Sequence, residues 1–306
     1  MKLFKQFRAD EKGAVIVIVA MGMAAFLGFV ALVTDVGLLY LTKQKLMNSA
    51  DAAVLAGAQE LPGDSAEARM EAEKYLAYNN VDHNYEINFS SDNMKIEARL
   101  TEDVNLFFAK ALGWSETSTV AASSKAGVGA IVGYKGIVPF GILEQHVVLY
   151  QEYLLKTGDG SDTTGSFGAL ALGGGGASNF TEVTKYGYDQ MVRVGDVLPI
   201  ESGNMNGPVK KGLNWRMDQC THGITCTAYK PAPGCPKVLI IPVYEAYEWE
   251  SNKLKNIKVI GFAAFYVEKA PQNGEILGRF IRVVIPGEIG VGAISDYGAM
   301  GVKLIE

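Results

Sequence analysis

The chain is poor in the residues that most enzymes and disulfide scaffolds depend on. Its 306 residues include three cysteines and three histidines, His83, His146 and His222. That is too few for a disulfide framework and a narrow base for His-dependent catalysis. Charge is scarce as well: 20% of residues are charged, with 28 Lys and Arg against 33 Asp and Glu, for a net charge of -5. There is no long basic run, which argues against nucleic acid as the main partner, because neutralising phosphates needs clustered Lys and Arg. Hydrophobic residues make up 48% and glycines number 35. This excludes a disordered or fibrous chain and leaves room for a membrane segment plus one or two folded domains.

The strongest local signal is AVIVIVAMGMAAFLGFVALVT, which runs from Ala14 to Thr34 without a charge. As a helix it spans about 30 Å, the thickness of a bilayer's hydrocarbon core. A core helix rarely stays apolar all round for so long, and a signal-peptide apolar region is shorter, so a retained membrane helix is the reading favoured here. Lys2, Lys5, Arg8 and Lys12 precede the run, while only Lys43 and Lys45 follow it closely. The basic excess predicts a cytoplasmic N-terminus, with everything beyond about Leu41 extracytoplasmic. Asp35 ends the run and reads as a marker of the outer headgroup boundary, with a polar contact to a partner helix as the alternative. Ala20, Ala24 and Gly28 form a small-residue strip that lets another helix approach. Apolar or small residues continue at helical spacing through Leu38, Leu41, Leu46, Ala50, Ala53, Val54 and Gly57, with no break before Pro62-Gly63. The pattern predicts one helix from about Ala14 to Glu60, roughly 70 Å long. Its outer third is an Ala-lined stalk whose small face the rest of the chain or neighbouring subunits must cover.

A second helix is expected over Ser65 to Asn79. Strands are expected at Tyr85 to Phe89 and Met94 to Leu100, with a hairpin turn at Ser90-Ser91-Asp92-Asn93 between them. Val104 to Leu112 reads as a short amphipathic helix ended by Gly113, and Thr117 to Ser124 as another strand. Beyond Gly127, short apolar runs rich in Val, Ile, Phe and Tyr are punctuated by Gly and Pro. They occur at Gly136 to Leu143, Val147 to Leu155, Phe167 to Leu172, Val238 to Tyr244, Ile257 to Val267 and Phe280 to Ile285. Such runs predict a β-rich domain, a sandwich or barrel. The fold class is α+β: a long N-terminal transmembrane helix and stalk, a small α/β unit and a C-terminal β-rich domain. The expected divisions are 1–13 cytoplasmic, 14–61 membrane helix and stalk, 62–128 small α/β domain, and 129–306 β-rich extracytoplasmic domain.

Lys12-Gly13 and the segment after it resemble the N-terminal segment of TadG-like (TadE/TadG) proteins of the Flp, or tight-adherence (Tad), pilus-assembly system. The residues carrying the resemblance are Asp35, Val36, Gly37, Tyr40, Asn48, Ala50, Asp51, Ala52, Ala53, Leu55, Ala56, Gly57 and Ala58. VNLFFAKALGW, starting at Val104, resembles the family more loosely, as do GIVPFGI, SFGALALGGGGA and ESGNMNGPVKKG further on. The resemblance implies a single-pass component of a pilus-assembly or secretion apparatus. Its motif residues would have structural roles, and it brings no catalytic residues or cofactor. The implied partners are the lipid bilayer and other Tad pilus or pseudopilin components reached through the helix, with self-association as a further option. A processed filament subunit is the rival reading, with Gly13 as the candidate processing site. Cleavage there would put Ile18 at the fifth mature position, where major pilins usually carry Glu.

Other constellations carry less. Gly173 to Gly176 lacks the spacing of a phosphate-binding loop and no helix clearly starts after it, so it reads as a hairpin loop. Asp159 and Asp162 lack the terminal acid of a calcium loop and read as a solvated turn. Cys220, His222, Cys226 and Cys235 lie close together in sequence, but their spacing matches no strong zinc signature. Outside the membrane, one disulfide among Cys220, Cys226 and Cys235 ranks first, ahead of free thiols and of a metal site. A Cys220–His222 nucleophile pair has no orienting third group. Glu245 and Glu248 in YEAYEWE read as part of a solvated, aromatic-bearing edge rather than as paired glycosidase acids. A membrane-tethered hydrolase is therefore the weakest of the three functional readings.

Overall fold

The structure is a computed structural model that describes residues 11–82, 84–113, 115–158, 166–251, 253–269, 271, 275–290 and 295–305. It divides into two compact units. The first comprises residues 1–126 with 304–306, and the second residues 127–303. The architecture is α+β, and the stalk helix and the small α/β elements share the first unit.

In the first unit, helix α1 (Glu11–Ala58) is continuous over 48 residues, about 70 Å, because no Pro or paired Gly interrupts its apolar and Ala-rich sequence. Helix α2 (Ser65–Tyr78) begins where Asp64 caps it, its carboxylate accepting from the amides of Ala66 (2.8 Å) and Glu67 (3.1 Å). Strands β1 (Tyr85–Phe89) and β2 (Lys95–Asn105) pair antiparallel, and Asn93 takes a positive φ of 53° in the turn between them. Alternation along β2 buries Ile96, Ala98 and Leu100. Ala68, Ala72 and Leu76 of α2 and Leu46, Ala50, Ala53 and Val54 of α1 are buried with them. Both α2 and β2 pack on α1. The expected helix from Val104 to Leu112 is not formed as such. Strand β2 continues to Asn105, and a single 3-10 turn covers Ala109–Leu112, closed by Gly113 at φ 80°. Strand β3 (Thr117–Lys135) follows.

The second unit contains β3 from Gly127 onward, strands β4 (Phe140–Leu143), β5 (Glu152–Gly158), β6 (Ser166–Ala169), β7 (Met191–Arg193), β8 (Val197–Pro199), β9 (Val238–Glu250), β10 (Lys253–Val267), β11 (Glu275–Ile281), β12 (Val283–Val284) and β13 (Glu288–Ile289), and β14 (Ala299–Ile305) as far as Lys303. The strand order β11-β5-β6-β4-β9-β10 closes on itself, because β11 pairs with both β5 and β10; β8 extends β10 beyond the ring. The ring is mixed: β4 runs parallel to β9 and β5 to β6, and the other pairs are antiparallel. Closure removes the free edges that the ring's apolar strands would otherwise expose. A second sheet places β14 between β3 and β12, with β7 and β13 also on β3.

The second unit is β-rich, as its short Val-, Ile-, Phe- and Tyr-rich runs predict, and it also contains two helices. Helices α3 (Ala177–Tyr186) and α4 (Asn206–Asp218) form in it and pack together. Pro208 sits in the first turn of α4, where a missing amide hydrogen costs nothing. Gly212 is where α4 meets α3: a Cβ there would lie 2.4 Å from the Thr184 methyl. Alternate residues of β9 and β10 feed two cores. Leu239, Ile241, Val243 and Phe265 enter one with Phe180, Val209 and Leu213; Ile240, Tyr244, Ala264 and Tyr266 enter the other with Cys226 and Cys235.

Candidate membrane anchor and helix-packing site

Helix α1 changes character at Ala31. From Val15 to Val30 every residue is exposed, Phe26 and Phe29 among them, and the span is long and apolar enough to cross a membrane. Ala31 and Asp35 are the first buried residues, each 8% exposed, and Thr42, Leu46, Ser49, Ala50, Ala53, Val54 and Gly57 follow on the same side. A surface so apolar before Ala31 fits lipid or partner helices, whereas the surface beyond it is half covered by the protein itself.

Asp35 stands at the transition, and its carboxylate is fully engaged. Oδ1 accepts from the Phe107 amide at 2.9 Å, and Oδ2 accepts from the amides of Phe108 at 3.0 Å and Ala109 at 2.9 Å. These are the orphan donors at the start of the 3-10 turn, whose own cap position, Phe108, has no side chain able to accept them. An ionised acceptor facing three amides is the strong form of a cap. Asp35 is therefore an anchor for residues 107–109 within the same chain, a role the sequence alone did not assign. The cap position itself, Phe108, offers no acceptor, and nothing near it in the sequence points to Asp35. Lys43, eight residues beyond Asp35 on α1, makes a second long-range contact, its ammonium donating to the Ala121 carbonyl of β3. Phe107 and Phe108 remain exposed, the former 71%, so the Asp35 contact holds two aromatic rings beside the end of the apolar span.

The other motif residues separate by environment. Gly57 lies against α2 and β2: a Cβ there would meet the Ala68 carbonyl oxygen and Ile96 Cδ1 at 2.7 Å and Ala72 Cβ at 3.2 Å. Ala50 and Ala53 are fully buried, and Asp51 and Ala52 are half-buried. Tyr40 and Asn48 are exposed, and a Cβ at Gly37 would meet no atom within 4 Å. Ala20, Ala24 and Gly28 are exposed, and Gly28 too has open space around it, with nothing within 4 Å. Gly13 lies inside α1.

A helix does begin directly after Gly176, contrary to expectation. Its N-terminus already holds a carboxylate, with Glu201 Oε2 accepting from the Gly176 amide at 2.9 Å. A phosphate would have to displace that group. Replacing Glu201 with Ala is expected to cost about 1 kcal/mol in chemical unfolding. Glu245 pairs with Lys258 at 3.1 Å and Glu248 accepts from Asn256, both on the exposed end of the β9–β10 ribbon beside Tyr247 and Trp249. A depression of ≈ 480 Å³ next to Glu245 also contains Glu144, which accepts from the Tyr297 hydroxyl at 2.7 Å. Asp159, Asp162 and His83 fall outside the described residues.

Cys220, His222, Cys226 and Cys235 converge, with their ligand atoms all within 4.8 Å of one another. The three thiols are free: Cys226 Sγ lies 3.3 Å and Cys220 Sγ 3.6 Å from Cys235 Sγ, well beyond the ~2.05 Å of a disulfide bond. Cys226 and Cys235 are buried, Cys220 is half-buried and His222 is exposed. Burial opposes ionisation of Cys226. The Ala232 amide together with Cys235, Tyr266 and Cys220 outweighs it and holds that thiol below its ordinary pKa, while burial pushes Cys235 up to about 12.

No curated protein and no solved structure gave a significant match to the chain. Residues 13–60, which contain the exposed apolar span, Asp35 and Gly57, match the Tad family, described as "Putative Flp pilus-assembly TadE/G-like", so the chain carries a TadE/G-like segment.

Proposed function

We propose that this chain is a non-enzymatic, single-pass component of a Tad/Flp-type pilus-assembly or secretion apparatus, with its N-terminus cytoplasmic and the bulk of the chain, beyond the apolar span, extracytoplasmic. The observation that carries the reading is the coincidence of the Tad segment with a helix exposed and apolar up to Val30 and packed into its own chain from Ala31 onward. The basic residues Lys2, Lys5, Arg8 and Lys12 support the orientation. In this reading Asp35 sits at the outer headgroup level, where a carboxylate is tolerable. Its hold on residues 107–109 keeps the exposed Phe107 and Phe108 rings beside the end of the apolar span.

Partner contacts fall to the surface α1 leaves uncovered, which includes Ala20, Ala24 and Gly28. Replacing Gly28 with Leu is expected to leave the unfolding of both units unchanged, because no atom of this chain lies near it, and to reduce co-purification of Tad partners from membranes. Orientation is tested by labelling spheroplasts with a membrane-impermeant maleimide. Tyr247→Cys is expected to label without permeabilisation beyond the wild-type background, and Lys5→Cys only after it. The reverse pattern would overturn the topology.

A further inference from the structure

We propose that Cys220, His222, Cys226 and Cys235 bind one zinc ion and that this ion staples the segment joining α4 to β9. Four donors of the types zinc prefers meet at one point. In a tetrahedral site with metal–sulfur bonds of about 2.3 Å, sulfurs lie about 3.8 Å apart and a sulfur lies about 3.6 Å from a ligating nitrogen. The corresponding separations are 3.3 and 3.6 Å between sulfurs and 3.6 Å from Cys220 Sγ to His222 Nδ1. A disulfide uses two of the three sulfurs and leaves the third thiol and the imidazole converging without a purpose. One metal ion uses all four.

The surroundings suit thiolates. The Ala232 amide donates to Cys226 Sγ at 3.4 Å, and the Tyr266 hydroxyl, which donates to the Cys226 carbonyl at 2.6 Å, lies 3.8 Å from the same sulfur. Three thiolates and a neutral imidazole around Zn²⁺ leave a net charge of about -1. One residue from Cys235, the Pro236 carbonyl accepts from Arg216, whose guanidinium also donates to the Thr184 carbonyl. Those two bonds tie the end of the segment to α3 and α4.

The segment itself supplies the reason for a metal. Between Asp218 and Val238 the regular structure is a single 3-10 turn, Gly223–Thr225, in a stretch broken by Pro231, Pro233, Gly234 and Pro236. Yet Cys226, Ala228 and Cys235 are buried in the core shared with Tyr266. Cys220 lies just past the end of α4 and Cys235 just before β9, so one ion closes the excursion at both ends and reduces the cost of ordering it. Four protein ligands leave no open position, which makes the site structural rather than catalytic.

The test is elemental analysis of the full chain, purified in detergent without chelator, paired with intact mass after alkylation under denaturing, non-reducing conditions. The expected result is about one zinc per chain and three alkylated thiols. His222 is exposed, so His222→Ala should fold. It is expected to weaken zinc at least about tenfold in competition with a chromophoric chelator. Cobalt-loaded wild-type protein should show thiolate-to-cobalt charge-transfer absorption, which tests the assignment without any substitution. Three results would each overturn the proposal: a single alkylated thiol with negligible zinc, a zinc content that His222→Ala leaves at the same affinity, or three free thiols that stay metal-free after zinc is supplied.

Discussion

Replacing Asp35 with Ala is expected to destabilise the first unit by about 3 kcal/mol, because the loss leaves the amides of Phe107, Phe108 and Ala109 without their acceptor and one of them buried. The effect should be local first. Hydrogen exchange at those three amides is expected to rise by about a hundredfold, the equivalent of that energy, and proteolysis should begin between Leu106 and Gly113. Asp35→Asn keeps one acceptor oxygen but loses the charge and turns an NH₂ toward other donors, so it should recover less than half of the loss. If Asp35→Ala left exchange at Phe107 to Ala109 unchanged, the anchoring role would be wrong. Asp35 would then be a boundary residue and nothing more.

Gly57→Leu is expected to have an effect of similar size for a different physical reason. The helix conformation at Gly57 accepts any side chain, and in isolation Ala would be favoured there by about 1 kcal/mol. What forbids it is space: the first added carbon meets the Ala68 carbonyl oxygen and Ile96 Cδ1 at 2.7 Å, and a backbone oxygen cannot rotate away. Gly57→Ala should therefore lose its propensity gain and more, and Gly57→Leu should cost about 3 kcal/mol by forcing α2 and β2 off the stalk. Unfolding of the detergent-solubilised chain measures both. A Gly57→Leu protein as stable as the parent would mean that the stalk face is not closely packed. The contrast with Gly28→Leu, expected to be silent in the isolated chain, separates glycines that the fold needs from those left free for partners.

How much of this was legible in the sequence depends on the range of the interaction. The α1 helix, α2, and the β1–β2 hairpin follow from local periodicity and turn residues, which locate each within a few residues. Helices α3 and α4 escaped because Gly173–Gly176, Gly207, Pro208 and Gly212 suggest loop chemistry. In the fold these residues lie at helix starts or at the α3–α4 contact, where small size or a missing amide hydrogen is harmless. The partner of Asp35 was invisible for the opposite reason: its ligands are more than seventy positions away, and nothing local in the sequence encodes that contact. Closure of the six-stranded ring through β10 and β11 depends likewise on long-range pairing. The cysteine cluster was visible as neighbours in sequence. Its irregular spacing matched no metal signature, because an irregular, Pro-rich segment rather than a compact hairpin brings the donors together.

In the proposed function the N-terminal helix anchors an assembly component and is not the core of a filament. Intact mass and N-terminal sequence, measured on protein extracted from membranes and separately on sheared cell-surface material, test it most directly. A chain that retains the residues before Ala14 and is confined to the membrane fraction is expected. A chain beginning at Ala14 and abundant in regular sheared filaments would contradict it and establish the pilin reading, despite Ile18 at the fifth mature position.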